Sequence, residues 1–146
     1  RSTAAPCTFP GGLCRVERGV SLRDRARPIE AMGIEATVAR PGSAGAPHRI
    51  SRWVDAAVVN AGDGWHQHPT QALLDTYTIR QNLGSLEGRH IAIVGDVKHS
   101  RVARSDVLAF TTMGARVTLV APPTLLPPSL DAVSYTHLKL PTTDLG

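Results

Sequence analysis

The sequence predicts an α/β fold, with parallel sheets flanked by helices, on three observations. Short apolar runs alternate with longer segments whose apolar residues recur at spacings of three and four. A strand from His90 to Val94, a helix opened by Ser100 and a strand from Arg116 to Val120 together span about 30 residues, the length of a parallel crossover. Val54 to Val59 is a second apolar run, interrupted only by Asp55, of the kind buried in parallel sheets, and it ends in a turn-rich loop that feeds a helix.

In chain order, residues 1 to 20 hold Pro6, Pro10, Gly11, Gly12 and Gly19 without a sustained period, and are expected to be irregular. Ser21 is placed to cap a helix from Leu22 to about Met32, closed by Gly33, against a cost of roughly 3 kcal/mol from Pro28 in its interior. Ile34 to Ala39 reads as a strand with Arg40 at its C-terminal end, followed by a loop from Pro41 to Pro47. With Val54 to Val59 as the next strand, two strand ends face one region. A helix from Pro69 to about Leu83 puts Ala72, Leu73, Thr76, Ile79 and Leu83 on one face, with Gly84 as its stop. Gly84 to Gly88 reads as a hinge-like connector. The helix after Ser100 places Ala103, Val107 and Phe110 on one side and ends at Gly114, and beyond Val120 the prolines at 122, 123, 127 and 128 break regular structure.

Chemistry is expected where Asn60-Ala61-Gly62-Asp63-Gly64 leads to His68-Pro69-Thr70-Gln71. Two glycines and two turn-forming side chains let the backbone amides approach a ligand. His68 stands at a helix start, Pro69 suits the first helical position, and Gln71 is spaced to reach back toward the cap. Such a helix N-terminus favours anions. His66, His68 and Asp63 also make a weak zinc pattern, lacking a fourth ligand.

Composition narrows the classes. An apolar share of 42% is globular, while an aromatic share of 4% leaves the core to Ala, Val, Leu and Ile. No apolar run approaches the roughly 18 to 20 residues that cross a bilayer, so no membrane partner is expected. Cys7 and Cys14 lack metal-like partners and fit a reducing, cytoplasmic setting. The formal charge of +4 and pI near 9.7 raise a nucleic-acid partner, but the arginines are scattered without an aromatic stacking platform; a small anionic substrate explains some of them.

Three separated motifs carry a family resemblance: Asn60-Ala61-Gly62-Asp63-Gly64, then His68 to Asp75 (His-Pro-Thr-Gln-Ala-Leu-Leu-Asp), then Val94-Gly95-Asp96 with His99-Ser100-Arg101-Val102-Ala103-Arg104-Ser105. Over residues 21 to 128 the chain resembles the catalytic chain of aspartate carbamoyltransferases. The resemblance implies parts of two Rossmann-like domains joined by a connecting helix: residues 21–83 as the end of a carbamoyl-phosphate domain with that helix, and 84–132 as the start of an aspartate domain. It implies carbamoyl transfer from carbamoyl phosphate to L-aspartate in pyrimidine synthesis, no cofactor, and a homotrimer, alone or with regulatory chains. Arg40 would contact carbamoyl phosphate, His68 would donate to its carbonyl oxygen as the catalytic residue, Gln71 would bind the carbamoyl nitrogen, and Arg101 would bind an aspartate carboxylate. His66, Lys98, His99 and Arg104 lie near these in sequence and read equally well as solvated or structural. The alternatives are ornithine as acceptor, since ornithine carbamoyltransferases share His-Pro-x-Gln, and a non-catalytic module that binds phosphate or carbamoyl phosphate.

Departures from the family pattern accompany the matches. The Ser-Thr-Arg-Thr phosphate loop has no counterpart in Arg1-Ser2-Thr3-Ala4, Arg18-Gly19-Val20 stands where Lys-Gly-Glu is usual, and Pro41 follows Arg40 directly in place of His-Pro. Residues 1–20 are therefore set apart as unmatched, and 133–146 as an adapter-derived tail, because Val133-Ser134-Tyr135-Thr136-His137-Leu138 is one reading frame of a sequencing adapter. With those loops altered or missing, little or no turnover is expected from this polypeptide alone.

Overall fold

In the computed structural model, residues 7–8, 21–127 and 136–139 are described. The chain divides into two compact units, Arg1–Thr70 and Gln71–Gly146. Cys14, the Arg18-Gly19-Val20 segment and the first four residues lie outside the described residues, as do 128–135 and 140–146.

The first unit is built on a three-stranded parallel sheet. Its elements are β1 (Cys7–Thr8), α1 (Leu22–Ala31), β2 (Ala36–Ala39), α2 (Ala46–Ile50) and β3 (Ala57–Asn60), with strand order β1-β2-β3. Cys7–Thr8, expected to be irregular, pairs with Thr37 and Val38. Helix α1 forms around Pro28 because its start is doubly capped. Ser21 Oγ accepts from the Asp24 amide at 3.2 Å, while Asp24 Oδ2 accepts from the Ser21 amide and hydroxyl at 3.3 and 2.7 Å, a capping box with aspartate in the glutamate position. Burial adds to this, since Ala26 packs with Ala39 and Ile50, and Leu22, Val54 and Val58 close the cluster.

Two expectations in this unit need correction. The loop expected from Pro41 to Pro47 contains the start of α2, whose N-cap Gly45 has φ 74°. A helix of five residues is too short to show a period. The strand expected from Val54 begins only at Ala57, because Trp53 and Val54 both donate to the Ile50 carbonyl and continue the turn after α2. Strand β3 is also only partly buried, with Val58 turned to the cluster and Val59 exposed.

The second unit contains β4 (His90–Val94), α4 (Arg101–Thr112), β5 (Arg116–Ala121) and β6 (Thr136–Lys139), preceded by α3 (Pro69–Leu83), which starts two residues before the unit boundary. Its sheet is parallel, ordered β4-β5-β6, with Ile91 opposite Val117 and Ile93 opposite Leu119. The β4-α4-β5 crossover and both ends of α3 stand where the sequence put them. Serine 100 caps α4 by accepting from the Ala103 amide at 3.1 Å. At the other end Gly114, φ 82°, donates to Thr111 and Ala115 donates to Phe110, the paired bonds of a Schellman motif. Ala103, Val107 and Phe110 pack on Val117, Leu119 and Ala121, with Ile91 and Ile93 beside them. Strand β6 falls where no regular element was expected.

On α3, Ala72 is buried and Ile79 packs on this core, but Leu73 and Leu83 are 67% and 56% exposed, so the inward face is narrower than the expected five-residue stripe. The connector 84–88 is no loose hinge. Leu86 is fully buried, the Gly88 amide donates to Gly114, and the Arg89 guanidinium donates to the carbonyls of Ser85 and Leu83, placing a cation on the carbonyl end of α3.

Candidate active site

Parallel pairing brings two loops to one end of the first sheet. Ala39 is the register partner of Asn60, so β2 and β3 end level and release Arg40 and Ala61 side by side. The Ala61 amide donates to Ala39 at 2.9 Å, and Arg40 Nη1 donates to the Ala61 carbonyl at 3.3 Å. In open α/β sheets the C-terminal strand ends are where ligands gather. A second tie follows, from the Gly64 amide to the Pro41 carbonyl at 3.0 Å. Glycine is required there. Gly64 has φ 52°, and a Cβ on it would stand 2.7 Å from the Gly42 carbonyl oxygen.

Asp63 holds the two loops in shape. Its side chain is all but sealed from solvent, at 1% exposure. Oδ2 accepts from the Gly45 amide at 2.6 Å and lies 3.0 Å from His66 Nδ1, while Oδ1 accepts from Asn60 Nδ2 at 3.1 Å and the Gln67 amide at 3.0 Å. Burial pushes this carboxyl up, but the donors from Gly45, Asn60, His66 and Gln67 together outweigh it and hold Asp63 below the usual carboxylate range. Asn60 turns the loop from the other side, its Oδ1 accepting from the Gly62 amide at 2.9 Å. The sequence marked Asp63 as a turn residue; its role as a hub depends on Gly45, eighteen positions away, for which no local signal exists.

His68 is half-buried just before α3, its Nδ1 3.2 Å from Thr70 Oγ1, and that hydroxyl lies 3.4 Å from the Asn60 carbonyl. Arg40, the Asn60–Gly64 loop and His66 are thus linked within the first unit, with His68 joined to the loop through Thr70. In the second unit, Gln71 Nε2 donates along the helix to Asp75 Oδ1 at 3.0 Å.

Arg101 opens α4 and is half-buried, its carbonyl accepting from Ser105 Oγ at 3.1 Å. The turn before it is braced by Asp96, which accepts from the His99 amide and lies 2.9 Å from His99 Nδ1; those His99 contacts hold the Asp96 carboxyl below its ordinary range. Lys98 is exposed, its amide donating to Leu125 and its carbonyl accepting from Arg104 Nη2 at 3.5 Å. These contacts give His66, His99 and Arg104 structural partners.

A family model described as "Aspartate/ornithine carbamoyltransferase, carbamoyl-P binding domain" matches residues 7–81, a span holding Arg40, the Asn60 loop, His68 and Gln71. The chain belongs to the aspartate/ornithine carbamoyltransferase family. The family match begins at residue 7, inside the segment set apart above as unmatched. Proteins named aspartate carbamoyltransferase catalytic subunit are similar throughout: that of Thermobifida fusca is 55% identical over 139 residues, covering 92% of this chain and 44% of the relative. The one from Parafrankia is 63% identical over 127 residues, covering 87% and 41%. That of Frankia casuarinae is 53% identical over 150 residues, covering 99% and 47%, an alignment that takes in both terminal segments. The chain therefore spans less than half the length of these curated relatives. Among solved structures, the catalytic subunit of M. jannaschii aspartate transcarbamoylase aligns with a TM-score of 0.66 and 39% identity, covering 76% of this chain and 36% of that one. Aspartate transcarbamoylase from Trypanosoma cruzi in complex with N-(phosphonacetyl)-L-aspartic acid aligns at 0.68 and 32%, covering 76% and 35%.

Proposed function

We propose that this chain is part of an aspartate carbamoyltransferase catalytic chain, transferring the carbamoyl group of carbamoyl phosphate to L-aspartate. The observation that carries this is the junction of Arg40 with the Asn60–Gly64 loop, joined to His68 through Thr70, inside the span matched by the carbamoyl-phosphate-binding model. Relatives that bear the aspartate name, at 53% to 63% identity in those cited, favour aspartate over ornithine as acceptor.

In the reaction the amine of aspartate attacks the carbamoyl carbon. A C–N bond forms, the C–O bond to phosphate breaks, phosphate leaves with the bonding pair, and the amine loses a proton. Negative charge builds on the carbonyl oxygen, and two anionic substrates must be held together. Arg40 supplies a permanent cation with several donors for carbamoyl phosphate, and His68 an N–H for the carbonyl oxygen. The Gln71 amide matches the carbamoyl nitrogen, and Arg101 an aspartate carboxylate. A cytoplasmic homotrimer, alone or with regulatory chains, belongs to the same proposal.

Calorimetric titration of the 146-residue chain with carbamoyl phosphate tests it. Binding is expected, weakened about 10- to 100-fold by Arg40→Ala or His68→Ala, as loss of a charge-assisted or oriented hydrogen bond costs about 1.5–3 kcal/mol. Absence of binding, or binding indifferent to both substitutions, overturns it.

A further inference from the structure

His66 reads from the sequence as solvated or structural, and the function proposed above gives it no task. Its ring rests on Asp63, with Nδ1 3.0 Å from Oδ2; the His66 side chain is 46% exposed, while that of Asp63 is sealed. The same Oδ2 accepts from the Gly45 amide at 2.6 Å, and Oδ1 accepts from Asn60 Nδ2 and the Gln67 amide.

These partners decide which ring nitrogen carries hydrogen. A carboxylate can only accept, and a proton on Asp63 would need an oxygen that no donor occupies. Both oxygens are occupied by N–H donors, and the carboxyl is held below the usual carboxylate range by them. The hydrogen of the His66–Asp63 contact therefore sits on Nδ1. A neutral His66 is then the Nδ1–H tautomer, with Nε2 as its accepting pole.

That hydrogen bears on the candidate site through Oδ2. The Gly64 amide ties the start of the loop after Arg40, at Pro41, and Asp63 Oδ2 ties its end, at Gly45, the N-cap of α2. Asn60 and Gln67, on Oδ1, belong to the segment that leads from β3 to His68. Oδ2 is thus the atom by which the second loop holds the far end of the first, and the His66 ring is the other group bonded to it. Without that ring, Oδ2 keeps one of its two donors and is opened to water, which competes for the Gly45 amide. We propose that His66 is a positioning residue for the candidate site: its Nδ1–H fixes Asp63 Oδ2 on the Gly45 amide and so holds the Arg40 loop against the Asn60–Gly64 loop. The carbamoyl-phosphate half rests on the function proposed above. The tautomer and the loop tie stand on the geometry of the first unit.

The test uses the full chain and three substitutions. Asparagine carries its N–H2 on Cγ, where histidine carries Nδ1, whereas glutamine carries it one atom further out, nearer the place of Nε2. Hydrogen exchange at the Gly45 amide is expected to quicken about tenfold in His66→Ala, to stay near the unsubstituted rate in His66→Asn, and to resemble the alanine variant in His66→Gln. Protection unchanged in His66→Ala, or restored by glutamine and not by asparagine, overturns the role of Nδ1–H. Long-range 1H–15N NMR at about pH 8.5, where an ordinary imidazole is neutral, should show hydrogen on Nδ1 of His66 and none on Nε2; the reverse order overturns the tautomer. Calorimetry with carbamoyl phosphate should follow the same series, with affinity about tenfold lower in His66→Ala and recovered in His66→Asn. Equal affinity in all variants overturns the positioning role. If exchange and NMR behave as stated and the unsubstituted chain binds no carbamoyl phosphate, the loop tie stands and the carbamoyl-phosphate function falls.

Discussion

Two aspartates, one in each unit, are both buried and are shifted in opposite directions from the ordinary carboxylate range. Asp63 in the first unit is surrounded by donors from Gly45, Asn60, His66 and Gln67 and stays ionised at 1% exposure. Asp106 in the second is slightly more exposed, and burial, with the Asp75 charge adding to it, raises it to about 7. Desolvation acts in the same direction on both. The difference lies in the supply of donors, so the charge of a buried acid in this chain is set by its partners more than by its depth.

Breaking the Asp63 hub should have the largest effect. Asp63→Ala leaves the part-buried amides of Gly45 and Gln67 without their acceptor and is expected to destabilise the first unit by about 2–4 kcal/mol, read as lost hydrogen-exchange protection at those two amides. Retained protection there would mean that the loops hold their own shape. Gly64→Ala attacks the same hub by sterics, through its φ of 52° and the 2.7 Å approach to Gly42, and should cost about 1–3 kcal/mol by the same measurement.

The comparison also predicts pH dependences of opposite sign. Asp63, lowered from 3.8, contributes stability that is present above pH 3.8 and is lost as pH falls through its folded value. Asp106, raised from 3.8 to about 7, contributes stability that is fully present below 3.8 and is lost as pH rises from there through about 7. Asp106→Asn should therefore flatten the loss of thermal stability between pH 5 and 8 while leaving the acid limb intact. An unchanged slope would show that another group titrates there. The smallest effect is expected where neither burial nor a hub is involved. Ser21→Ala removes one side of the α1 capping box and should cost about 1 kcal/mol in the first unit, seen as earlier melting of helical signal.

The elements legible in the sequence are those specified by neighbours in the chain. Helix α4 carries its own start at Ser100 and stop at Gly114, and α3 runs from Pro69 to Leu83 with Gly84 as its stop, so local chemistry located both. Arg40 could be placed at a strand end and His68 at a helix start for the same reason. What escaped is long-range or too short to repeat. Helix α2 has five residues, and Asp63 depends on Gly45. Leu73 and Leu83 fit the helical period on α3 and are nonetheless exposed, because periodicity identifies a face without telling how wide the covering layer is.

The level ending of β2 and β3 has a consequence for how this chain can vary. Because Ala39 sits opposite Asn60, inserting or deleting one residue within either strand would invert the alternation of its side chains and shift Arg40 about 3.3 Å along the sheet relative to the Asn60 loop. Length changes between related sequences should therefore be confined outside β2 and β3, at exposed positions such as 51–52 between α2 and β3. The spacing between Arg40 and Asn60 then behaves as a fixed ruler only where the intervening chain compensates, residue for residue, for what it gains or loses.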